Sequence, residues 1–187
     1  KLINHRGGLH NRVTHRIHLQ PFSLRETEAF LQRKGCVFDR YQIVELYMAM
    51  GGIPFYLDQV RPGQSVFQNI DRLFFQKEGI LRQEFDNLYR SLFYKHERHT
   101  LIIEALARKA KGMTRNEIVS ATNLANGGTL TNILKEMELC GFIEKQIPYG
   151  KQSNDALFQL IDPYSQFYLQ FVKLSKAKGE GAWMTQK

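Results

Sequence analysis

Apolar and polar residues change period several times along this chain, and each change marks a new element. Val13, His15, Ile17 and Leu19 alternate with Thr14, Arg16, His18 and Gln20, a period of two that predicts a strand, and Pro21 ends it. Helical spacing takes over at Ser23, which can cap a helix with Glu26 three residues on. Leu24, Ala29, Phe30 and Leu31 are its expected buried side, up to Gly35. From Phe38 to Met50 the pattern predicts a second helix, apolar nearly all round through Ile43, Val44, Leu46, Tyr47 and Met50, and therefore buried on more than one side. Gly51-Gly52-Ile53-Pro54 breaks it, and Pro54 suits the first turn of a short helix that reaches about Val60. Ser65 caps the next helix, buried through Val66, Ile70, Leu73 and Phe74. Ile80, Leu81, Phe85, Leu88, Tyr89, Leu92 and Phe93 mark a longer amphipathic helix, and Glu97 to Lys111 is expected to form another.

The stretch from Met113 to Ile161 carries the most information. Thr114 and Glu117 form a capping-box pair, and Ile118 and Val119 open the apolar face of a helix that runs to about Thr122. Asn123 and the Asn126-Gly127-Gly128 cluster supply a turn. Leu130, Ile133, Leu134 and Met137 then recur at helical spacing, with Gly141 where a C-terminal cap belongs. Phe142 and Ile143 begin a strand, Pro148 to Asp155 is a polar turn, and Ala156 to Ile161 returns as the partner strand. Two short helices joined by a turn and followed by a hairpin are the layout of a winged helix-turn-helix with a two-stranded wing. Asp162-Pro163 then starts an aromatic helix through Tyr164, Phe167, Tyr168 and Phe171, and Lys176 to Lys187 is expected to be a loop or frayed end.

With 187 residues, 43% of them hydrophobic, and 14 Gly against 5 Pro, the chain can bury one large or two small cores. No apolar run approaches the roughly 20 residues needed to cross a bilayer, and the N-terminus has no charged-then-apolar-then-small signal-peptide pattern, so a cytoplasmic protein without membrane partners is expected. Cys36 and Cys140 lie far apart in no metal-like spacing and are expected to be reduced, buried thiols. The first residue is Lys1, and the chain reads as a piece of something longer.

A net charge of +8 suggests an anionic partner, but its distribution qualifies that idea. Residues 1 to 40 hold 8 Lys or Arg against 3 acids, residues 41 to 94 hold 5 against 6, and residues 95 to 161 hold 9 against 7. The candidate recognition helix, Thr129 to Cys140, carries only Lys135 against Glu136 and Glu138, a poor set for binding phosphates unless Lys145, Lys151, Arg115 and the Arg108, Lys109, Lys111 cluster compensate. If the module reads duplex DNA, Thr131, Asn132 and Lys135 are the groove residues, and Tyr149, Gly150, Lys151 and Asn154 are the wing tip. The other reading is a module that packs against protein.

Several elements in this order resemble a known family. They are Gly7-Gly8-Leu9 with Arg12, Arg16-Ile17-His18-Leu19 leading to Pro21-Phe22, Gly51-Gly52-Ile53-Pro54 with Tyr56-Leu57, Glu84-Phe85, Thr114 with Glu117-Ile118, Gly141-Phe142-Ile143, and Asp162-Pro163-Tyr164 with Phe167-Tyr168. They resemble the C-terminal part of archaeal and bacterial AAA-like P-loop ATPases, relatives of the STAND class that often carry a PD-(D/E)XK nuclease-like domain further on. The resemblance implies a mainly α-helical fold: residues 1–20 as the last strand and preceding loop of a P-loop core, 21–94 as a helical lid bundle, 95–161 as the winged helix-turn-helix domain, and 162–187 as an aromatic helix and tail leading to a further domain. It implies ATP and Mg²⁺ as ligands of the intact protein, with the P-loop core and the C-terminal domain as partners. No Gly-x-x-x-x-Gly-Lys-Ser/Thr loop occurs here, so this chain by itself is not expected to hydrolyse ATP.

The same resemblance assigns Gly52-Ile53-Pro54 to an adenine contact, because glycine allows close approach and proline gives a rigid apolar face; a plain helix break accounts for the same residues. Arg12 is a candidate for the γ-phosphate or a solvated surface arginine. No metal site is assigned, since His5, His10, His15 and His18 have no standard ligand spacing, and His96 with His99 lacks a third ligand and reads as a capping or surface pair. The alternative to an ATPase region is a free-standing winged-helix DNA-binding regulator whose helical half mediates dimerisation.

Overall fold

The structure, a computed structural model, describes residues 17, 19–175, 181 and 183. Its first half is helical, and side chains set the starts of three of its helices by accepting first-turn amides. Ser23 caps α1 (Leu24–Arg33) and Asp39 caps α2 (Arg40–Met50), each in a reciprocal capping box, with Glu26 and Gln42. Pro54 is the first residue of α3 (Pro54–Asp58), where its missing amide costs nothing. Ser65 and Gln68 cap α4 (Val66–Ile70), which continues as a π-helical turn over Asp71–Phe75. Two longer helices follow, α5 (Ile80–Leu92) and α6 (His96–Ala107).

The second half mixes helix and sheet. A two-residue strand β1 (Met113–Thr114) leads into α7 (Arg115–Thr122), then α8 (Gly128–Leu139), β2 (Ile143–Gln146), a 3₁₀ turn at Ser153–Asp155, and β3 (Leu157–Leu160). The three strands form one antiparallel sheet in the order β1-β3-β2, with Met113 opposite Phe158 and Ile143 opposite Leu160. Asp162 then caps α9 (Pro163–Phe167), followed by a second π-helical turn over Tyr168–Val172.

The last helix closes the first half. Tyr164, fully buried, lies 4.9 Å from the Tyr56 ring and 6.0 Å from that of Phe74, and its hydroxyl donates to the Leu81 carbonyl at 2.8 Å. Beside it the Tyr89 and Ser165 hydroxyls share a buried 2.8 Å hydrogen bond. Burial holds the Tyr56, Tyr89 and Tyr164 phenols well above their ordinary range, so they stay neutral hydrogen-bonding groups. Tyr89 also meets Phe142 at 5.0 Å, which makes the apolar interior continuous from the bundle into the sheet half.

Several expectations are corrected. Leu24 and Ala29 are exposed; Thr27 takes the inward position on α1 with Leu31, and its hydroxyl is buried without a partner. The helix expected from Phe38 begins at Arg40 and is not buried all round: Tyr41, Val44 and Met48 stay exposed along one face, because the rest of the bundle packs only on the side of Ile43, Leu46, Ala49 and Met50. The helix expected to reach Lys111 ends at Ala107, since the chain must turn at Gly112 (φ +82°) to bring β1 beside β3. The sheet therefore has three strands where a two-stranded wing was expected. Cys140 is exposed, while Cys36 is buried. Of the strand expected over Val13 to Gln20, Ile17, Leu19 and Gln20 are described; all three are exposed and outside any strand. No described helix is long and apolar enough to cross a membrane.

Candidate nucleic-acid interface

The candidate surface lies where α8 meets the β2–β3 hairpin, and it is positioned from α7 upward. Thr114 caps α7 and Glu117 bonds back to the Thr114 amide at 2.8 Å. Lys109, 2.5 Å from Glu117, ties that cap to the end of α6. The bond from Lys109 and the Thr114 amide hold the Glu117 carboxyl below the usual carboxylate range. Asn123 ends α7 in the left-handed conformation (φ 56°), which asparagine tolerates better than most side chains.

Arg115 governs the turn that follows. Its Nε donates to Asn126 Oδ1 at 2.6 Å and its Nη2 to the Gly127 carbonyl at 2.9 Å, so one guanidinium grips both residues that lead into α8. The α8 N-terminus has no side-chain cap, and neither Gly127 nor Gly128 has a neighbour within 4 Å of where a Cβ would stand. Gly127, Gly128 and Thr129, which open α8, are exposed.

Inward, Leu130, Ile133, Leu134 and Met137 bury one face of α8. Outward, Thr131, Lys135 and Glu138 line a cleft of about 470 Å³ together with Arg115, Lys145 and Asn154. Among these are three cations against one carboxylate. Among the described residues neither Lys135 nor Lys145 takes part in an ion pair. The acidic balance of α8 is also smaller on this side than its sequence indicates, because Glu136 is turned away: its Oε2 lies 3.1 Å from Nε2 of the buried His99 on α6.

The structure brings together only some of the residues singled out from sequence. Thr131, Lys135 and Asn154 line the cleft, and Thr131 Oγ1 also donates to the Gly127 carbonyl. Asn132 is exposed on α8 and Tyr149, Gly150 and Lys151 are exposed in the hairpin loop, all outside the cleft lining. Lys145 and Arg115, considered only as flanking charges, are in the lining itself. A strand residue at the mouth of a hairpin carries no sequence signal that distinguishes it from any other exposed lysine.

The second candidate set is separate. Pro54 is exposed at the start of α3, and Phe55 beside it is half exposed. Gly52 is buried against the chain entering α1: its carbonyl accepts from the Phe22 amide at 2.7 Å, and a Cβ on it would stand 1.9 Å from the Phe22 carbonyl oxygen. Glycine here serves a backbone-to-backbone contact within this chain. Arg12 lies outside the described residues. His99, read from sequence as a capping or surface histidine, is instead buried and stacked on Phe93, with ring centroids 3.9 Å apart.

No family model matches this chain, and no solved structure matches it. It is similar to the uncharacterized protein MJECL04 of Methanocaldococcus jannaschii, with 24% identity over 174 residues that cover 92% of this chain and 38% of that protein. The chain therefore spans well under half the length of the curated relative it matches.

Proposed function

We propose that this chain is a regulatory and binding region of an ATP-binding, AAA-like ATPase of the STAND-related kind, with residues 21–94 as its helical lid and residues 95–161 as a winged-helix module that binds duplex DNA. The observation that carries the DNA reading is the convergence of Arg115, Lys135 and Lys145 on one cleft between α8 and the hairpin. The element order α6-β1-α7-α8-β2-β3 with β3 central supports the winged-helix reading, since α8 follows the turn as a recognition helix does and the hairpin flanks it. Lys135 and Lys145 supply phosphate contacts, the open start of α8 receives a phosphate oxygen, and Thr131 and Asn132 offer polar groups to base edges. Tyr149 and Lys151 extend the contact at the wing tip.

In the lid, the exposed Pro54 presents a rigid apolar ring, and we assign it the adenine side of an ATP site whose P-loop core and Mg²⁺ belong to the intact protein, with Gly52 behind it fixing the chain against Phe22. Arg12 is the candidate contact to the γ-phosphate. The exposed Tyr41, Val44 and Met48 face supports a lid that packs on other protein surface. Lid movement on nucleotide exchange then repositions the DNA-binding half.

Fluorescence anisotropy of this chain with generic duplex DNA at two salt concentrations tests the DNA reading. Affinity should fall steeply with salt, and Lys135→Ala and Lys145→Ala should each lower the log–log salt slope by about 1. No binding at low salt by folded protein overturns it. For the lid, Pro54→Ala in the full-length protein should weaken nucleotide binding, and unchanged affinity and turnover overturn that assignment.

A further inference from the structure

Asp71 is a carboxylate in the wrong place for a surface acid. It opens the π-helical turn after α4, is only 4% exposed, and forms no ion pair among the described residues. Arg72, next to it, is engaged elsewhere, donating to the Gln59 carbonyl, Gln64 Oε1 and Asn69 Oδ1. A buried carboxylate left without donors is strongly disfavoured, so its partners identify what the site is for. Those partners come from the far end of the chain: Oδ2 accepts the Gly181 amide and Oδ1 the Trp183 amide, each at 3.0 Å.

The indole of Trp183 completes the arrangement. Its ring lies 5.0 Å from Phe75, 5.2 Å from Phe167 and 5.3 Å from Phe171, the last edge-on, so phenylalanines from the π-helical turn after α4, from α9 and from the π-helical turn after it form a trough around it. Gly181 has φ +78°, a conformation that L side chains rarely adopt, and this turn lets two amides two residues apart face one carboxylate. A further cavity of about 250 Å³ borders Asp71, Arg72 and Gly181.

We propose that Asp71 and the Phe75–Phe167–Phe171 trough form a socket for a Gly-x-Trp turn, a binding site whose ligand chemistry is a pair of peptide amides plus an indole, and that this chain's own Gly181 and Trp183 occupy it as a latch on the helical bundle. The latch fastens Gly181 to Asp71, 110 residues earlier, and sets Trp183 against Phe75 and Phe167, joining the π-helical turn after α4 to α9.

Trp183 is the only tryptophan in the sequence, so its fluorescence reports the latch directly. In the full chain, emission should lie to short wavelength of that in denaturant and resist acrylamide quenching. Asp71→Asn removes the charge assistance and should lower the docking equilibrium roughly tenfold or more, with emission moving towards the denatured position. Gly181→Val acts only on the tail, leaves the bundle untouched and should do the same by straining the turn. Far-UV circular dichroism verifies folding in each case. Wild-type emission and quenching in folded Gly181→Val, or in folded Asp71→Asn, overturns the proposal; exposure of Trp183 in both supports it.

Discussion

The imidazole of His99 on α6 and the carboxylate of Glu136 on α8 meet at 3.1 Å through Nε2 and Oε2, while Nδ1 of the same ring lies 3.2 Å from the Lys95 carbonyl. Both ring nitrogens of this buried side chain thus lie against an oxygen, one from its own helix and one from α8. The pair joins the helix that enters the sheet half to the helix that carries the candidate interface, and it takes one acid of α8 away from that interface.

Separate and combined replacement of the two residues measures this link. Glu136→Gln and His99→Gln should each destabilise the protein, and a double-mutant cycle in urea unfolding should give a coupling of about 1 kcal/mol, reduced from that of a fully buried charged hydrogen bond because Glu136 is 43% exposed. Glu136→Gln should leave DNA affinity within about twofold, since the carboxylate does not face the cleft. A large gain in affinity would show that Glu136 repels phosphate after all.

Arg115 is expected to act by holding the turn. Arg115→Lys keeps the charge and loses the two-point grip on Asn126 and Gly127, so affinity for duplex DNA should fall roughly fivefold, the equivalent of one hydrogen bond, while the salt slope stays unchanged. A change in slope would instead make Arg115 a direct phosphate contact.

Gly52→Ala should cost several kcal/mol, about 3 or more, because the new methyl would collide with backbone rather than with a side chain that can turn away. Thermal unfolding checks this, and a Tm within a degree or two of wild type would mean that Phe22 does not pack on Gly52 as described.

Burial raises the Asp162 carboxyl above its ordinary value, and the bonds from Ser165 oppose that shift. An acid whose folded pKa is raised contributes stability that is complete below its unfolded pKa and is lost as pH rises through the folded one. Asp162→Asn, a comparable N-cap, removes that loss. Between about pH 3 and pH 7 the urea midpoint of Asp162→Asn should therefore gain on that of wild type as pH rises, and a gap independent of pH would contradict the burial of this carboxyl.

Local chemistry was legible where it acts within a turn or two. The Ser23–Glu26 and Thr114–Glu117 pairs mark helix starts, the Asn126-Gly127-Gly128 cluster marks the break before α8, and the period of α8 selects the residues it buries. Strand β1 escaped notice because two residues hold no period, and Met113 and Thr114 become a strand only by pairing with Phe158 and Leu157. The exposed face of α2 escaped for the opposite reason: its apolar residues are all there, but which of them meet a neighbour depends on where the neighbours lie.

The sequence by itself determined the kind and order of most elements, the turns between them and the apolar residues of α8, since these depend on capping, backbone preference and periodicity over a few residues. Only the tertiary structure decided that Lys135 and Lys145 share a cleft, that His99 is buried against Glu136, and that Asp71 receives Gly181 and Trp183. Each of these joins residues from different elements, the last pair across more than half the chain, and a charge or an aromatic ring bears no mark of its distant partner until packing brings the two within a few ångströms.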